Sequence, residues 1–525
     1  MSAARRLRLS PSGLVVLAAV AYAVLTIVFV GVDRQLRWDE VTYLAQVTPG
    51  QPDVWFGPQR ARGMSVVVLP VALLGAPLTL LRLYMVTVSA VALWLAFRPW
   101  ARTIGWTGGA AALVAAGGWV PMYFAVELYP NLLAGFAGVA AAGHLFCWMR
   151  ERRQADLLAV ALAVAVVAWL RPTESVWLCL GLAPIALVMV RLEAWRAWAA
   201  MAVGGFVGWL PWAIEAFARF GSPLARLRNA AGESASGQSR NSLIQYLNLV
   251  EGPVRRVVAD PVLTYRALAL LLGLTALVLL GIAQRRDHER RVAAVVALVA
   301  ATATVFPYLV LNAGINLRYV LPGMLLAAVP IGAGLATIGG ALRRADATRT
   351  AAVLTVLAIV VVGWQGVLAR NNAESIAPLQ AVPVGLGDAL EAAAGGEPCA
   401  FVSERQWPEI QWHSGCLGEV TYLDAPLLQC HDAPRDLADL AMQGHRVFVL
   451  ARGEPPARPT LEGWDVTEVP DVEGGAWRIY ERPADLGTGD PPTIPDPSDS
   501  PTPCPPSRAP DTDDAILELR WDRND

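Results

Sequence analysis

The chain has 525 residues, and its 42 basic and 44 acidic side chains leave a formal net charge of −2. Only 16% of residues are charged while 55% are hydrophobic, against about a quarter charged in an ordinary soluble domain. This balance argues against a soluble enzyme and against a protein that grips nucleic acid through a basic surface; it points to a polytopic chain in a lipid bilayer. The basic residues are all Arg, concentrated in the first two thirds, whereas Asp, Glu and Pro dominate the end. An Ala/Arg/Val bias of this kind is what a GC-rich bacterial genome would produce.

In chain order, "MSAARRLRLSPSGLVVLAAVAYAVLTIVFVGVD" opens with Arg5, Arg6 and Arg8 and continues into an apolar run too long for a signal core, so a retained first helix is expected. It is followed at once by "DRQLRWDEVTYLAQV", with the acidic pair Asp39 and Glu40. The run at 63–81 is apolar but interrupted by Pro70 and Pro77, and reads as helices lying in an interface within one long first loop. Spans are predicted near 13–32, 82–98, 103–123, 131–149, 156–170, 175–190, 197–216, 262–283, 292–311, 319–341 and 350–368. These are about eleven membrane helices, and Arg clusters mark alternate connections. They are Arg98/Arg102, Arg150/Arg152/Arg153, Arg191/Arg196, Arg285/Arg286/Arg290/Arg291 and Arg343/Arg344/Arg349, together with the N-terminal group. Basic residues near helix ends stay cytoplasmic. The expected arrangement in the plasma membrane therefore has the N-terminus inside and everything after residue 369 outside.

Past residue 370, "CAFVSER", "VTYLD", "RVFVLAR" and "WRIYER" read as strands and "PRDLADLAMQG" as a helix, giving a small extracytoplasmic α/β domain over 371–485. The remainder, 486–525, is Pro-rich and acidic, the composition of a disordered tail. Of six Cys, Cys147 and Cys179 fall in spans, and a Cys399–Cys416 disulfide is expected in the exported domain, with Cys430 the competing partner. The His residues show no zinc spacing.

Polar groups near bilayer depth are expensive, so those the membrane half keeps need a reason. Four sets fall on connections of the outer face: Trp38-Asp39-Glu40 with Tyr43; Glu127 to Asn131, "ELYPN"; Arg171 to Glu174, "RPTE"; and Arg318 and Tyr319 in "NLRYVLPG". On a helix, Asp39 and Tyr43 share a face while Glu40 points about 100° away. The plainer reading has Asp39 capping an interfacial helix that Trp38 anchors. Arg171 and Arg318 depart from the positive-inside pattern, and with Arg60 and Arg62 they put positive charge beside an acidic pair, as suits a lipid-linked phosphate.

With these sets in order, the first 370 or so residues resemble the GT-C superfamily of polyprenyl-phosphate-sugar-dependent glycosyltransferases. The likeness is closest to the branch of protein O-mannosyltransferases and the lipid A aminoarabinose transferase. It rests on Asp39-Glu40 with Tyr43, Tyr129-Pro130-Asn131, Arg171-Pro172-Thr173 and Arg318-Tyr319 with Pro322. The resemblance implies a mainly α, polytopic GT-C bundle that moves a sugar from polyprenyl phosphate to an extracytoplasmic hydroxyl with inversion. Asp39 would be the base, and Arg318, then Arg62 and Arg171, with Tyr319, would hold the donor phosphate. Tyr43, Glu127, Tyr129 and Asn131 would shape the acceptor side. Glu40 would orient the acceptor or, with Asp39, hold a divalent cation such as Mg²⁺ or Mn²⁺. Where relatives often carry a Lys-Pro-Pro-like segment, this chain reads "FGPQRARGMS". The competing readings are a transporter or flippase of a lipid-linked substrate, disfavoured because no internal repeat is visible and charges sit at span ends, and a scaffold whose outer domain binds a partner.

Overall fold

The computed structural model describes residues 10–52, 54–234, 242–252, 263–284, 287–311, 315–345, 347–403, 407–420, 443–452, 463–469 and 477–483. The predicted helix at 434–444, Arg285, Arg286, Cys430 and the tail at 486–525 lie outside them, the last two residues of that helix excepted.

Helix α1 (Pro11–Phe29) starts where Ser10 accepts a hydrogen bond from the Gly13 amide at 3.0 Å, with Pro11 at the first helical position. The long first loop carries α2 (Trp38–Ala45) and α3 (Gly63–Leu73). Helix α3 is only 11 residues, too short to span, and the next membrane helix, α4 (Leu78–Ile104), begins at Leu78, a turn before the predicted start. The predicted span at 103–123 is broken into α5 (Trp106–Gly117) and α6 (Trp119–Phe124), with Gly118 between them. There follow α7 (Pro130–Glu151), α8 (Gln154–Leu170), α9 (Pro172–Val190) and α10 (Ala194–Phe220). Short helices α11 (Pro223–Ser234) and α12 (Ser242–Glu251) precede α13 (Tyr265–Ile282), α14 (His288–Phe306) and α15 (Leu317–Ala345). Thr264 and Asp287 cap α13 and α14 through the amides of Ala267 and Arg290.

Among the described residues, eight stretches are long and apolar enough to cross a membrane, one of them containing both α9 and α10. With the shorter apolar α8 and the divided α5–α6, they form a bundle whose outward faces are apolar, as in α10, α13 and α16. This is a multi-pass membrane protein. Close helix contact comes from small residues: a Cβ on Gly204 or Gly208 of α10 would lie 2.2 and 2.3 Å from the carbonyl oxygens of Ala161 and Ala165 in α8.

The last long helix, α16 (Ala347–Ala394), runs 48 residues. At about 1.5 Å per residue it is more than twice the length needed to span. A continuous helix thus joins the bundle to the C-terminal domain, whose sheet starts at β1 (Cys399–Ser403). After α17 (Trp407–Ser414) come β2 (Leu417–Val420), β3 (Arg446–Arg452), β4 (Asp465–Val469) and β5 (Trp477–Glu481), in the order β2-β1-β3-β5-β4. The β2-β1-β3 pairs are parallel and the β3-β5-β4 pairs antiparallel. Cys399 and Cys416 form a disulfide that closes the segment containing α17.

Candidate active site

Asp39 sits in the first turn of α2 and is 19% exposed. It does not cap the helix. Arg37 occupies the N-cap, and its amide donates to Glu40 Oε2 at 3.0 Å. The Asp39 carboxylate is instead held from two sides: Arg60 Nη2 donates to Oδ1 at 2.5 Å, and Arg318 Nη1 donates to Oδ2 at 2.6 Å. Arg60 comes from the loop between α2 and α3, Arg318 from the start of α15. Burial pushes the Asp39 carboxyl up, but Arg318 and Arg60 outweigh it and hold it well below the usual carboxylate range.

Each arginine is itself positioned. Arg226 of α11, fully buried, donates to the carbonyls of Pro58 and Arg60 at 3.0 and 2.8 Å and to Glu215 Oε2 at 3.0 Å. This ties the Arg60 loop to α10 and α11. Arg318 lies over the ring of Tyr129, 4.5 Å from its centroid, and 5.3 Å from that of Tyr319. Tyr319 stacks on Tyr308 at 5.1 Å, and the Tyr308 hydroxyl meets Glu174 Oε1 at 2.8 Å. Arg171, at the junction of α8 and α9, donates to that same oxygen at 2.8 Å and to the Tyr308 hydroxyl at 2.9 Å. Asn131 at the start of α7 reaches Glu174 at 3.4 Å. Arg318, Tyr129, Tyr319, Tyr308 and Arg171 thus form one continuous wall beside Asp39. Tyr43 is buried on α2 against Phe56, with its backbone carbonyl accepting from Ser65 at 2.8 Å.

Three of the residues expected at this site are placed elsewhere. Glu40 and Arg82 are both 0% exposed and form an ion pair. Glu40 also accepts from the amides of Leu128 at 2.9 Å and Arg37, while Arg82 donates to the carbonyls of Arg34, Gln35 and Val126. The 100° step along α2 turns Glu40 into the core, where it joins the first loop to α4 and to the connection after α6. A role on the acceptor or on a cation is closed to it by these partners. Arg62 points away from Asp39, to Glu215 at 2.8 Å and Gln46 at 3.0 Å. Glu127 is buried beside Arg34 at 3.0 Å and Arg37 at 3.5 Å, not on Asp39. The expected cation does not suit the donor set: the Asp39 oxygens meet guanidinium groups, those of Glu40 meet Arg82 and two amides, and among the described residues no three His, Cys, Asp or Glu side chains gather.

In the sequence Arg60 stands out only as added charge, and Arg82, Arg226 and Glu215 belong to none of the four polar sets. Arg82 and Glu215 did leave a signal, each being an isolated charge at the end of a predicted apolar run.

The sequence matches no protein-family model and no curated protein. Its structure matches the crystal structure of ArnT from Cupriavidus metallidurans bound to undecaprenyl phosphate, with a TM-score of 0.63, 13% identity, and coverage of 90% of this chain and 99% of that one. The apo form of the same protein matches with a TM-score of 0.63 at 13% identity, covering 90% and 98%. The oligosaccharyltransferase of Archaeoglobus fulgidus follows with a TM-score of 0.48 at 12% identity, covering 84% and 69%. Across nearly its whole length, then, the chain has an ArnT-like fold: a polytopic helix bundle that carries a small C-terminal sheet domain.

Proposed function

We propose that this chain is an inverting membrane glycosyltransferase, moving a sugar from a polyprenyl-phosphate donor to an extracytoplasmic hydroxyl. The observation that carries the reading is Asp39 clamped between Arg60 and Arg318 at the end of the bundle that bears the C-terminal domain. Clamped in this way the carboxylate is ionised but a poor base, because both its oxygens are already engaged. A donor phosphate offers the two guanidinium groups a competing anion, in the bidentate geometry that Arg favours. As they turn to it, Asp39 is freed to accept the proton of an incoming hydroxyl. The hydroxyl oxygen bonds to the anomeric carbon from the face opposite the phosphate. The bond from that carbon to the phosphate oxygen breaks, and its electron pair leaves on polyprenyl phosphate. Arg318 and Arg60 neutralise that growing charge, and Arg171, one wall further along, adds to the field.

Two further features support a lipid carrier. An open apolar cleft of about 380 Å³ lies between α9 and α10, lined by Val176, Leu180, Ala183 and Phe206 and headed by Ser175, one turn from Arg171. Undecaprenyl phosphate, bound in the ArnT crystal structure, has the chemistry that an arginine wall above such a cleft would hold. The Arg clusters at the other end of the bundle support an extracytoplasmic site.

The test uses the purified full chain in proteoliposomes, a labelled polyprenyl-phosphate sugar and cell-envelope acceptors. Wild type should form a new glycosidic bond and release polyprenyl phosphate, and Asp39→Asn should lose at least about a hundredfold in rate. Label that crosses the bilayer while still linked to lipid, with no bond transferred, would instead make this a transporter.

A further inference from the structure

Helix α16 changes its surroundings along its length. In the apolar run before 369, Val356, Ile359 and Trp364 are exposed, as lipid-facing side chains are. Further on, Asn372, Ile376, Gln380, Leu386, Leu390 and Ala394 are buried, and their spacing puts them on one face of the helix. Two close approaches seat that face. A Cβ on Gly252, just after α12, would lie 3.0 Å from Asn372 Nδ2, and one on Gly387 would lie 2.4 Å from that of His413 in α17. Helix α17, which also carries the buried Glu409, packs in turn on α2, the helix that bears Asp39. Between the two approaches stands Gln380, 5% exposed, whose Nε2 donates to the backbone carbonyl of Gln35 at 2.8 Å.

Gln35 lies in the segment 31–37 that joins α1 to α2, which is neither helix nor strand. Backbone groups of such a segment find no partners in a regular ladder and have to be held from outside it. Arg82 of α4 does part of this, donating from Nε to the Arg34 carbonyl at 3.1 Å and from Nη2 to the Gln35 carbonyl at 2.8 Å. The Gln35 oxygen thus accepts two donors, one for each lone pair: one comes from the bundle and the other from the outer half of α16. The same Arg82 pairs with Glu40, and the Arg37 amide donates to Glu40 at 3.0 Å. The segment and the first turn of α2 therefore form one bonded unit, and Asp39 lies in that turn. We propose that Gln380 is a positioning residue for the reaction: through the Gln35 carbonyl, the outer half of α16 fixes the approach to α2 and so sets Asp39 between Arg60 and Arg318. An amide suits this place, because it donates without adding a charge that would compete with Arg82 for Glu40. The proposal rests on the glycosyltransferase reading for its catalytic consequence but not for its structural one.

The experiment compares wild type with Gln380→Met in the full-length chain by two readouts. Met keeps the length of the side chain and removes its donor, and the Gln35 carbonyl keeps Arg82, so no buried polar group is left bare. In hydrogen exchange, the segment 38–45 should exchange about fivefold faster in the variant, while 399–403 stays as protected as in wild type. In sugar transfer, kcat should fall about tenfold with the donor KM within about twofold, the mark of a misplaced reacting group rather than of lost binding. Unchanged exchange at 38–45 overturns the proposal, and so does an equal rise at 399–403, which would mean general loosening. An unchanged kcat, or a rise in donor KM in place of the fall in kcat, overturns it as well. A wild-type chain that transfers no sugar refutes the glycosyltransferase reading instead, and the exchange result still decides whether Gln380 holds the approach to α2.

Discussion

The two ends of the helix bundle use the same residue types to different ends. At the end away from the C-terminal domain, Arg102 pairs with Asp156 at 2.7 Å, Arg153 with Glu151 at 2.9 Å, Arg196 with Glu193 at 3.4 Å, and Arg150 with Glu289. Most of these arginines are half-exposed, and two of the pairs, Arg102–Asp156 and Arg150–Glu289, join neighbouring connections. At the other end, Arg82, Arg226, Arg60 and Arg318 are buried or nearly so, and each holds a loop or a carboxylate in place. The difference lies in water access. An exposed guanidinium keeps its hydration and gains little from a partner, whereas a buried one commits every neighbouring carbonyl and carboxylate to a single geometry. Cationic side chains at the first end record topology, and at the second they build a site.

The sharpest way to break this contrast is Glu40→Gln, which leaves the Arg82 charge buried without its counter-ion. It should destabilise the folded chain by about 3–5 kcal/mol, read as a large drop in thermal midpoint in detergent. A loss below about 1 kcal/mol would show that the buried end is no more committed than the exposed one. Next in size is Cys399→Ser with Cys416→Ser. Releasing the disulfide around α17 should cost about 3 kcal/mol of local stability, seen as faster exchange in β1 and α17 and not in α7. Arg60→Ala should then lower transfer roughly ten- to a hundredfold, while Arg62→Ala, whose partner is Glu215, lowers it by about threefold or less. Equal losses would dissolve the distinction between the arginine on Asp39 and the one beside it. Smallest is Arg150→Ala, expected within about 1 kcal/mol of wild type.

The pH dependence sharpens the same comparison from inside the site. The Asp39 carboxyl is depressed in the folded chain, so its contribution to stability is present above its ordinary value of 3.8 and is lost only as pH falls through the lower folded value. Between pH 5 and pH 7, therefore, the stability difference between wild type and Asp39→Asn should not change. Glu409 has the opposite sign. Its folded value of about 8 lies above the ordinary 4.5, so its contribution is complete below 4.5 and fades as pH rises through about 8. The stability of wild type should therefore fall as pH rises toward 8, and that of Glu409→Gln should fall less.

Much of the bundle was legible in the residues. Apolar runs and Arg clusters gave the spans in order, and the eleven predicted helices correspond to α1, α4, the broken α5–α6 pair, α7 to α10 and α13 to α16. Pro70 and Pro77 marked α3 as too short to cross. The departures are local: Gly118 divides a span, and α16 continues past the apolar residues, through Pro378 and Pro383, to Ala394. At the site, Arg171, Arg318 and Tyr319 were marked by an unusual position, an arginine on the wrong side of the pattern. Arg60 and Arg62 carry no such difference, being two residues apart in one irregular loop, and only the bond from Arg226 to the Arg60 carbonyl turns one toward Asp39 and leaves the other to Glu215.

By itself, then, the sequence determined what a bilayer reads along one dimension: length, apolarity, and the connections on which arginines gather. Those quantities are local, and the cost of an unmet polar group in lipid makes them decisive. Only the tertiary structure decided which of two adjacent carboxylates meets the site. Asp39 finds Arg318 from α15 and Glu40 finds Arg82 from α4, partners far away in the chain that no periodicity reports. For the same reason a glutamine of α16, unremarkable in its own stretch, comes to rest on the segment that leads into the helix carrying Asp39.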